Sequence, residues 1–205
     1  MSENDLAYLI FLIIAVSMSY QAGRHLGISH TIDYLQEKGI IELLKACSIL
    51  WEKGHNFTLK IVGDFDKGNR SSITKEALEK YIKNKNNVMF TGLIRDMKSI
   101  YSEADLVVLP SWGEGLSRTL LEASAMECPI ITSNVSGCND IVQHGINGFL
   151  VPAKDENSLS LSIEFFLRNQ SFSKELGINA RKKVIERFDE NLIIKKTIGL
   201  YENIK

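Results

Sequence analysis

The sequence predicts an α/β protein, a doubly wound parallel sheet followed by C-terminal helices, and three observations carry that reading. From Phe57 to Pro152, short apolar runs alternate with longer amphipathic stretches. The apolar runs are continuous, as strands covered on both faces of a parallel sheet require. All three prolines, Pro110, Pro129 and Pro152, stand at the edges of these runs, where a missing N–H breaks no ladder bond.

Taken in order, strands are expected at Leu59–Gly63, Val88–Gly92, Asp105–Pro110, Pro129–Ser133 and Gly148–Val151. Helices are expected between them at Ile73–Lys83, Met97–Glu103, Leu116–Glu127 and Asn139–His144. Strand and helix in strict succession give right-handed βαβ units, because a parallel neighbour is reached only by a crossover. Ahead of the series, the strongly apolar stretch Ile40–Trp51 follows Lys38-Gly39 and reads as a helix. After Pro152 the pattern is helical only, at Glu156–Leu167, Ser173–Arg187 and Glu190–Tyr201. In the last of these, Leu192, Ile193, Thr197 and Leu200 fall near one face, which predicts ordinary packing.

Composition narrows the function classes. The chain has 205 residues, 44% of them hydrophobic, and a formal net charge of −1 from 24 Lys+Arg and 25 Asp+Glu. Disorder and collagen-like repeats are excluded, and nucleic-acid coating is not expected, because counterion release needs an excess of clustered cations. Cys47, Cys128 and Cys138 are spaced as neither a disulfide framework nor a zinc knuckle. They read as buried small residues in a reducing, cytoplasmic setting. No His, Asp or Glu set shows metal-ligand spacing on a shared helix face, so no metal is expected.

Leu6–Val16 is a run of eleven apolar residues. A bilayer span needs about 20, and Glu3 and Asp5 stand where a secretory signal carries positive charge. A buried strand and a short membrane-contacting segment are the two readings left. Residues 17–37 fit no clean period.

In an open parallel sheet, ligands bind outside the carboxyl ends of the strands. After the Asp105–Pro110 strand comes Ser111-Trp112-Gly113-Glu114-Gly115-Leu116-Ser117-Arg118, a glycine-flanked loop running into a helix. Such a helix start offers free N–H groups and the positive end of the helix dipole, an anion site suited to a diphosphate. Glu114 precedes the helix and Glu122 lies roughly two turns further on, so the carboxylates suit opposite ends of a ligand about 10 Å long. Carboxylates accept hydrogen bonds from sugar hydroxyls, and a nucleotide sugar carries a sugar at each end of a diphosphate. From spacing alone the alternative stands equally: Glu122 a solvated helix residue, Glu114 a loop acid compensating the dipole.

These residues match a known family. The stretch from Pro110 to Asp155 closely resembles the donor-binding domain of group 1, or family 4, retaining glycosyltransferases, with their E-x7-E motif as Glu114-GLSRTLL-Glu122. Linked motifs follow in order: Lys38-Gly39, Ile61–Asp64, Phe90–Gly92, Ser136–Val142 and Asn147–Pro152. The resemblance runs from about Lys38 to the C-terminus and implies the Rossmann-like half of a GT-B fold. It divides the chain into residues 1–37, an unpatterned segment and remnant of an acceptor domain, and residues 38–205, a nucleotide-sugar donor-binding domain.

The resemblance implies roles residue by residue. Glu114 lies against the donor sugar near the reaction centre, and Lys38 neutralises the departing diphosphate, the two being the catalytic candidates. Glu122 accepts hydrogen bonds from the nucleotide ribose. The amides of Leu116, Ser117 and Arg118 hold the phosphates, Gly92 and Leu93 lie where the base meets backbone, and Gly63, at the neighbouring strand end, and Gly115 complete the donor-binding set. Several alternatives stay open: Gly63 and Gly92 as plain turn glycines, Lys38 as a surface lysine, and Arg118 as a phosphate contact or a surface charge.

The implied activity is transfer of a hexose or N-acetylhexosamine from a UDP-sugar to a glycan or lipid-linked acceptor in surface polysaccharide or glycoconjugate synthesis. No cofactor is needed beyond the donor substrate. The setting is cytoplasmic, with a peripheral contact at the inner face of the membrane. Two departures from the family matter. The length leaves no room for the acceptor domain, and Asp33 stands where the family has an arginine. A non-catalytic nucleotide-sugar binding module, or one chain of a split transferase whose second chain supplies the acceptor domain, is therefore the competing expectation. A nucleotide-sugar epimerase, which shares the fold, is the third.

Overall fold

The computed structural model describes residues 8–13, 37–63, 78, 80–82, 85–92 and 94–202, with the backbone alone at 8–13 and at 85. Six parallel strands form one sheet: β1 (Tyr8–Ile13), β2 (Phe57–Val62), β3 (Val88–Phe90), β4 (Leu106–Leu109), β5 (Ile130–Ser133) and β6 (Phe149–Val151). Their order, β3-β2-β1-β4-β5-β6, is that of a doubly wound sheet, and it reverses between β1 and β4. The apolar run Leu6–Val16 thus contributes the strand at the reversal point. The sheet therefore draws on the segment upstream of Lys38, so the boundary expected there falls within one sheet.

Six α-helices are described: α1 (Ile40–Glu52), α2 (Met97–Glu103), α3 (Arg118–Ala125), α4 (Glu156–Arg168), α5 (Gln170–Phe188) and α6 (Glu190–Glu202). They cover both faces of the sheet. In β4, Leu106 and Val108 enter the core beneath α1 and α4, whereas Val107 and Leu109 enter the one beneath α2 and α3. Every residue of β4 and β5 is buried, which explains why these strands read as unbroken apolar runs.

Three expectations are corrected. Asn139–His144 is not a helix. Residues 136–141 form successive turns in which Cys138 N–H donates to the Val135 carbonyl and Ile141 N–H to that of Cys138. The helix expected from Leu116 starts at Arg118, because Ser117 is its N-cap and its hydroxyl accepts from Leu120 N–H at 3.5 Å. In α6 no residue is buried, so Leu192, Ile193, Thr197 and Leu200 do not form a packed face among the described residues. The helix expected over Ile73–Lys83 lies largely outside the described residues, although Leu78 and Ile82 are buried in the core beneath α1.

The cysteines are free and buried as expected. Burial pushes the Cys138 thiol up to about 11 and that of Cys128 up to about 12, so both stay protonated and inert at neutral pH.

Candidate functional site

The reversal between β1 and β4 is where a doubly wound sheet opens a crevice, and the candidate groups collect beside it. The Lys38-Gly39 turn seats against the end of β4. Gly39 has φ 70°, and a Cβ there would lie 2.0 Å from the Pro110 carbonyl oxygen, so only glycine fits. The next two residues sew the same join: Trp112 N–H donates to the Glu37 carbonyl at 2.6 Å and Ser111 Oγ–H to the same oxygen at 3.1 Å. Lys38 is thereby fixed at the mouth of the loop that follows β4.

Across that mouth Lys38 Nζ donates to Glu114 Oε1 at 2.5 Å, with the two side chains only 13% and 12% exposed. Glu37, Lys38, Trp112, Gly113, Glu114 and Gly115 line an open pocket of about 510 Å³. A Cβ at Gly113 or Gly115 would meet nothing within 4 Å, so the loop presents bare backbone to the pocket. The loop is buttressed from beneath by Gly137, φ 82°, where a Cβ would come within 1.7 Å of the Gly115 carbonyl oxygen.

The start of α3 is open. Ser117 caps α3 with its own hydroxyl, and the N–H groups of Leu116, Ser117 and Arg118 find no acceptor among the described residues. Three amides are thus left open at the positive end of α3, an arrangement that suits an anion. The Arg118 side chain is 80% exposed, with Nη2 3.7 Å from Glu122 Oε1, on the surface of the helix.

Glu122 lies just over one turn into α3, nearer the helix start than the sequence suggested, because the helix begins later. Its Oε2 accepts from the phenol of Tyr101, a buried residue of α2, at 3.1 Å. Burial, and next the Glu122 charge, push the Tyr101 phenol up, so it stays protonated and donates. Gly63 and Gly92 also meet: Gly63 N–H donates to the Gly92 carbonyl at 3.1 Å across the ends of β2 and β3. Leu93, Asp64 and Asp33 lie outside the described residues.

Residues 33–183 match the family described as Glycosyl transferases group 1. The chain belongs to this family. It is 30% identical over 167 residues to the capsular polysaccharide biosynthesis glycosyltransferase CapM of Staphylococcus aureus, covering 82% of this chain and 43% of CapM. Over 170 residues it is 29% identical to the N,N'-diacetylbacillosaminyl-diphospho-undecaprenol alpha-1,3-N-acetylgalactosaminyltransferase of Campylobacter jejuni, covering 83% of this chain and 43% of that one. The chain thus spans less than half the length of these relatives. Among solved structures, Anabaena HepE in complex with UDP superposes with a TM-score of 0.78 at 21% identity over 96% of this chain and 49% of HepE. The C-terminal domain of the group 1 glycosyl transferase LpcC from Francisella tularensis gives a TM-score of 0.71 at 21% identity and covers 89% of this chain and 87% of that one. The family and the GT-B-type sheet agree with the sequence reading.

Three residues at the site escaped that reading. Tyr101 falls on the apolar side of a short helix and looks like core. Lys154 Nζ stands 3.9 Å above the Trp112 ring, joining the loop after β6 to the loop after β4. Trp112 itself lines the pocket, and its buried Nε1 finds no acceptor among the described residues.

Proposed function

We propose that this chain supplies the donor-binding half of a group 1 glycosyltransferase and holds a nucleotide sugar, in the first instance a UDP-sugar, at the crevice beside β4. The observation that carries the reading is the meeting of Lys38 and Glu114 in one pocket, whose wall at Gly115 runs directly into the open start of α3. A cation and a ring of N–H donors suit a diphosphate, and a carboxylate beside them suits sugar hydroxyls. HepE, which shares the fold, is found with UDP, and the Campylobacter relative is named for transfer of an N-acetylhexosamine to a lipid-linked acceptor. Both support the proposed substrates.

In this reading the diphosphate lies on the amides of Leu116, Ser117 and Arg118. Lys38 faces its oxygens and meets the negative charge that grows as the glycosidic bond lengthens. Glu114 faces the sugar hydroxyls and stabilises the cationic character of an oxocarbenium-like transition state. Glu122 receives the ribose, and the paired glycines Gly63 and Gly92 receive the base. The sugar passes to a glycan or lipid-linked acceptor with retention of configuration, serving surface polysaccharide synthesis on the cytoplasmic side of a membrane.

The ion pair between Lys38 and Glu114 must open for this to happen, since the same cation serves the diphosphate. Donor binding and rearrangement of the pair are one event. A second reading is favoured by a specific observation: the candidate groups among the described residues are all carried by a single sheet and its flanking helices. A nucleotide-sugar binding module, with the acceptor wall supplied by another domain or chain, follows from that.

Titration calorimetry of the chain with UDP, ADP and GDP tests donor binding. Measurable heat with UDP is expected, and none with any of the three at millimolar concentration would remove the reading. A transfer assay with UDP-sugars and lipid-linked acceptors separates the two versions. Robust release of UDP by the isolated chain would overturn the single-wall version.

A further inference from the structure

We propose that Tyr101 is a positioning residue for ribose recognition: its phenol holds Glu122 so that the free carboxylate oxygen faces the nucleotide. The proposal rests on the donor-binding reading above and names a residue which that reading does not use. Its physical basis is the contrast between the two ends of one hydrogen bond. Glu122 is 40% exposed, on a helix surface where a glutamate side chain ordinarily samples several rotamers. Tyr101 is 3% exposed and anchored in the core beneath α2 and α3, with its backbone carbonyl accepting from Cys128 Sγ at 3.3 Å.

A phenol in that position has one proton to give. Its oxygen lies 3.1 Å from Glu122 Oε2 and 3.4 Å from the Thr119 carbonyl, so both acceptors it meets are on α3. The stronger acceptor is the carboxylate. Occupation of Oε2 leaves Oε1, whose described partner is Arg118 Nη2 at 3.7 Å, beyond hydrogen-bonding distance. The carboxylate is thus hydrogen-bonded from the protein side, with its other oxygen making only an ion pair to the exposed Arg118. The phenol is neutral, so it orients Glu122 without cancelling its charge, which a lysine in its place would do. Two vicinal ribose hydroxyls need an anionic acceptor in a fixed direction, and that is what the pair provides.

The test is calorimetry on the full chain with two probes, UDP and 2'-deoxy-UDP. The wild type should prefer UDP by about tenfold, the worth of a hydrogen bond to a charged group. Tyr101→Phe keeps the ring and its packing and should cut that preference to about twofold or less, weakening UDP more than 2'-deoxy-UDP, which keeps only the 3'-hydroxyl for Glu122 to hold. Glu122→Asp leaves the core untouched and keeps the charge but draws the carboxylate back from the phenol, and it should lose the preference in the same way. Combining either Tyr101→Phe with Glu122→Gln should cost no more than Glu122→Gln alone.

A merely structural role would weaken both nucleotides by the same factor, and that result overturns the proposal. So does a tenfold preference that survives in Tyr101→Phe or in Glu122→Asp. If the wild type binds both nucleotides equally, ribose recognition by Glu122 is wrong and Tyr101 has nothing to position, though the donor-binding reading stands. If the wild type binds neither, that reading falls and takes this assignment with it.

Discussion

Glu114 and Glu122 are the same residue eight positions apart, and the fold treats them differently. Glu114 sits on an irregular loop and is bound to a lysine that comes from the other side of the crevice. Glu122 sits in a regular helix and is bound to a buried phenol. The first carboxylate meets the Lys38 ammonium at 2.5 Å, whereas the second is oriented from the core and has the exposed Arg118 guanidinium 3.7 Å from its other oxygen. On the donor-binding proposal the first would exchange its partner when a ligand arrives and the second would already be set, so one motif would combine a movable half with a preset half.

The largest effect expected is on the loop that carries Glu114. Gly137 has φ 82°, and a Cβ there would stand 1.7 Å from the Gly115 carbonyl oxygen and 2.6 Å from that of Glu114. Gly137→Ala should cost on the order of 3 kcal/mol by denaturant unfolding, from backbone strain together with displacement of the loop. Ribose preference should survive in what remains folded, because Tyr101 and Glu122 are held by α2 and α3. A stability loss below about 0.5 kcal/mol would show that the loop yields freely and that Glu114 is not held in place.

Next come the two carboxylates themselves. Glu122→Ala should weaken UDP binding by about 1–3 kcal/mol, the worth of hydrogen bonds to a charged group. Glu114→Ala should leave UDP affinity nearly unchanged, since it frees Lys38 for the diphosphate while removing a contact to the sugar. Its effect should appear as poorer discrimination among UDP-sugars. Equal losses of UDP affinity in the two variants would erase the division between a sugar end and a ribose end.

A third carboxylate sharpens the contrast through pH. Glu164 on α4 is held down to about 2, first by the hydrogen bond from Lys53 and then by His55 and the Lys53 and Arg168 charges. Its folded pKa lies below the ordinary value of 4.5, so its stabilisation is complete above about pH 4.5 and is lost as pH falls toward 2. Unfolding midpoints of the wild type should therefore drop over that interval more than those of Glu164→Gln. Parallel acid profiles for the two would show that Glu164 contributes no pH-dependent stability.

Much of this was legible in the sequence, and the reasons are physical. The edges of β4 and β5 were readable because a strand covered on both faces must be apolar throughout. Lys38, Glu114 and Glu122 were readable because a family motif fixed them, and the contact between the first two is a finding of the structure. Asn139–His144 was misread because its apolar spacing suits a helix while Gly137 turns the chain just ahead of it. Tyr101 and Lys154 carried no signal: each acts through a contact made across many residues, and a core tyrosine or a surface lysine looks the same whether or not it touches the site, whereas Trp112 stood in the marked loop with nothing in its spacing to assign its side chain. The α6 stripe was misread for the converse reason, since amphipathic spacing shows a face suited to packing but not whether anything lies against it.

The smallest effect expected concerns a contact between the Glu114 loop and the loop that follows the edge strand β6. Lys154 adopts the left-handed conformation, φ 64°, unusual for a side-chain-bearing residue, and its ammonium lies 3.9 Å above the Trp112 ring. An exposed cation–π contact of this kind is worth about 0.5–1 kcal/mol. The chain has two tryptophans, and Trp51 is removed from the site, stacked on Phe57 at 5.1 Å. In a Trp51→Phe background the emission of Trp112 alone can be followed. Lys154→Met should shift that emission, because the charge over the indole is gone while the apolar stem remains. It should also soften discrimination among UDP-sugars by a factor of about two, as the loop gains freedom, and leave the UDP preference over 2'-deoxy-UDP untouched. A change in ribose preference would mean that the two halves of the motif are mechanically joined, and the separation drawn between Glu114 and Glu122 would have to be abandoned.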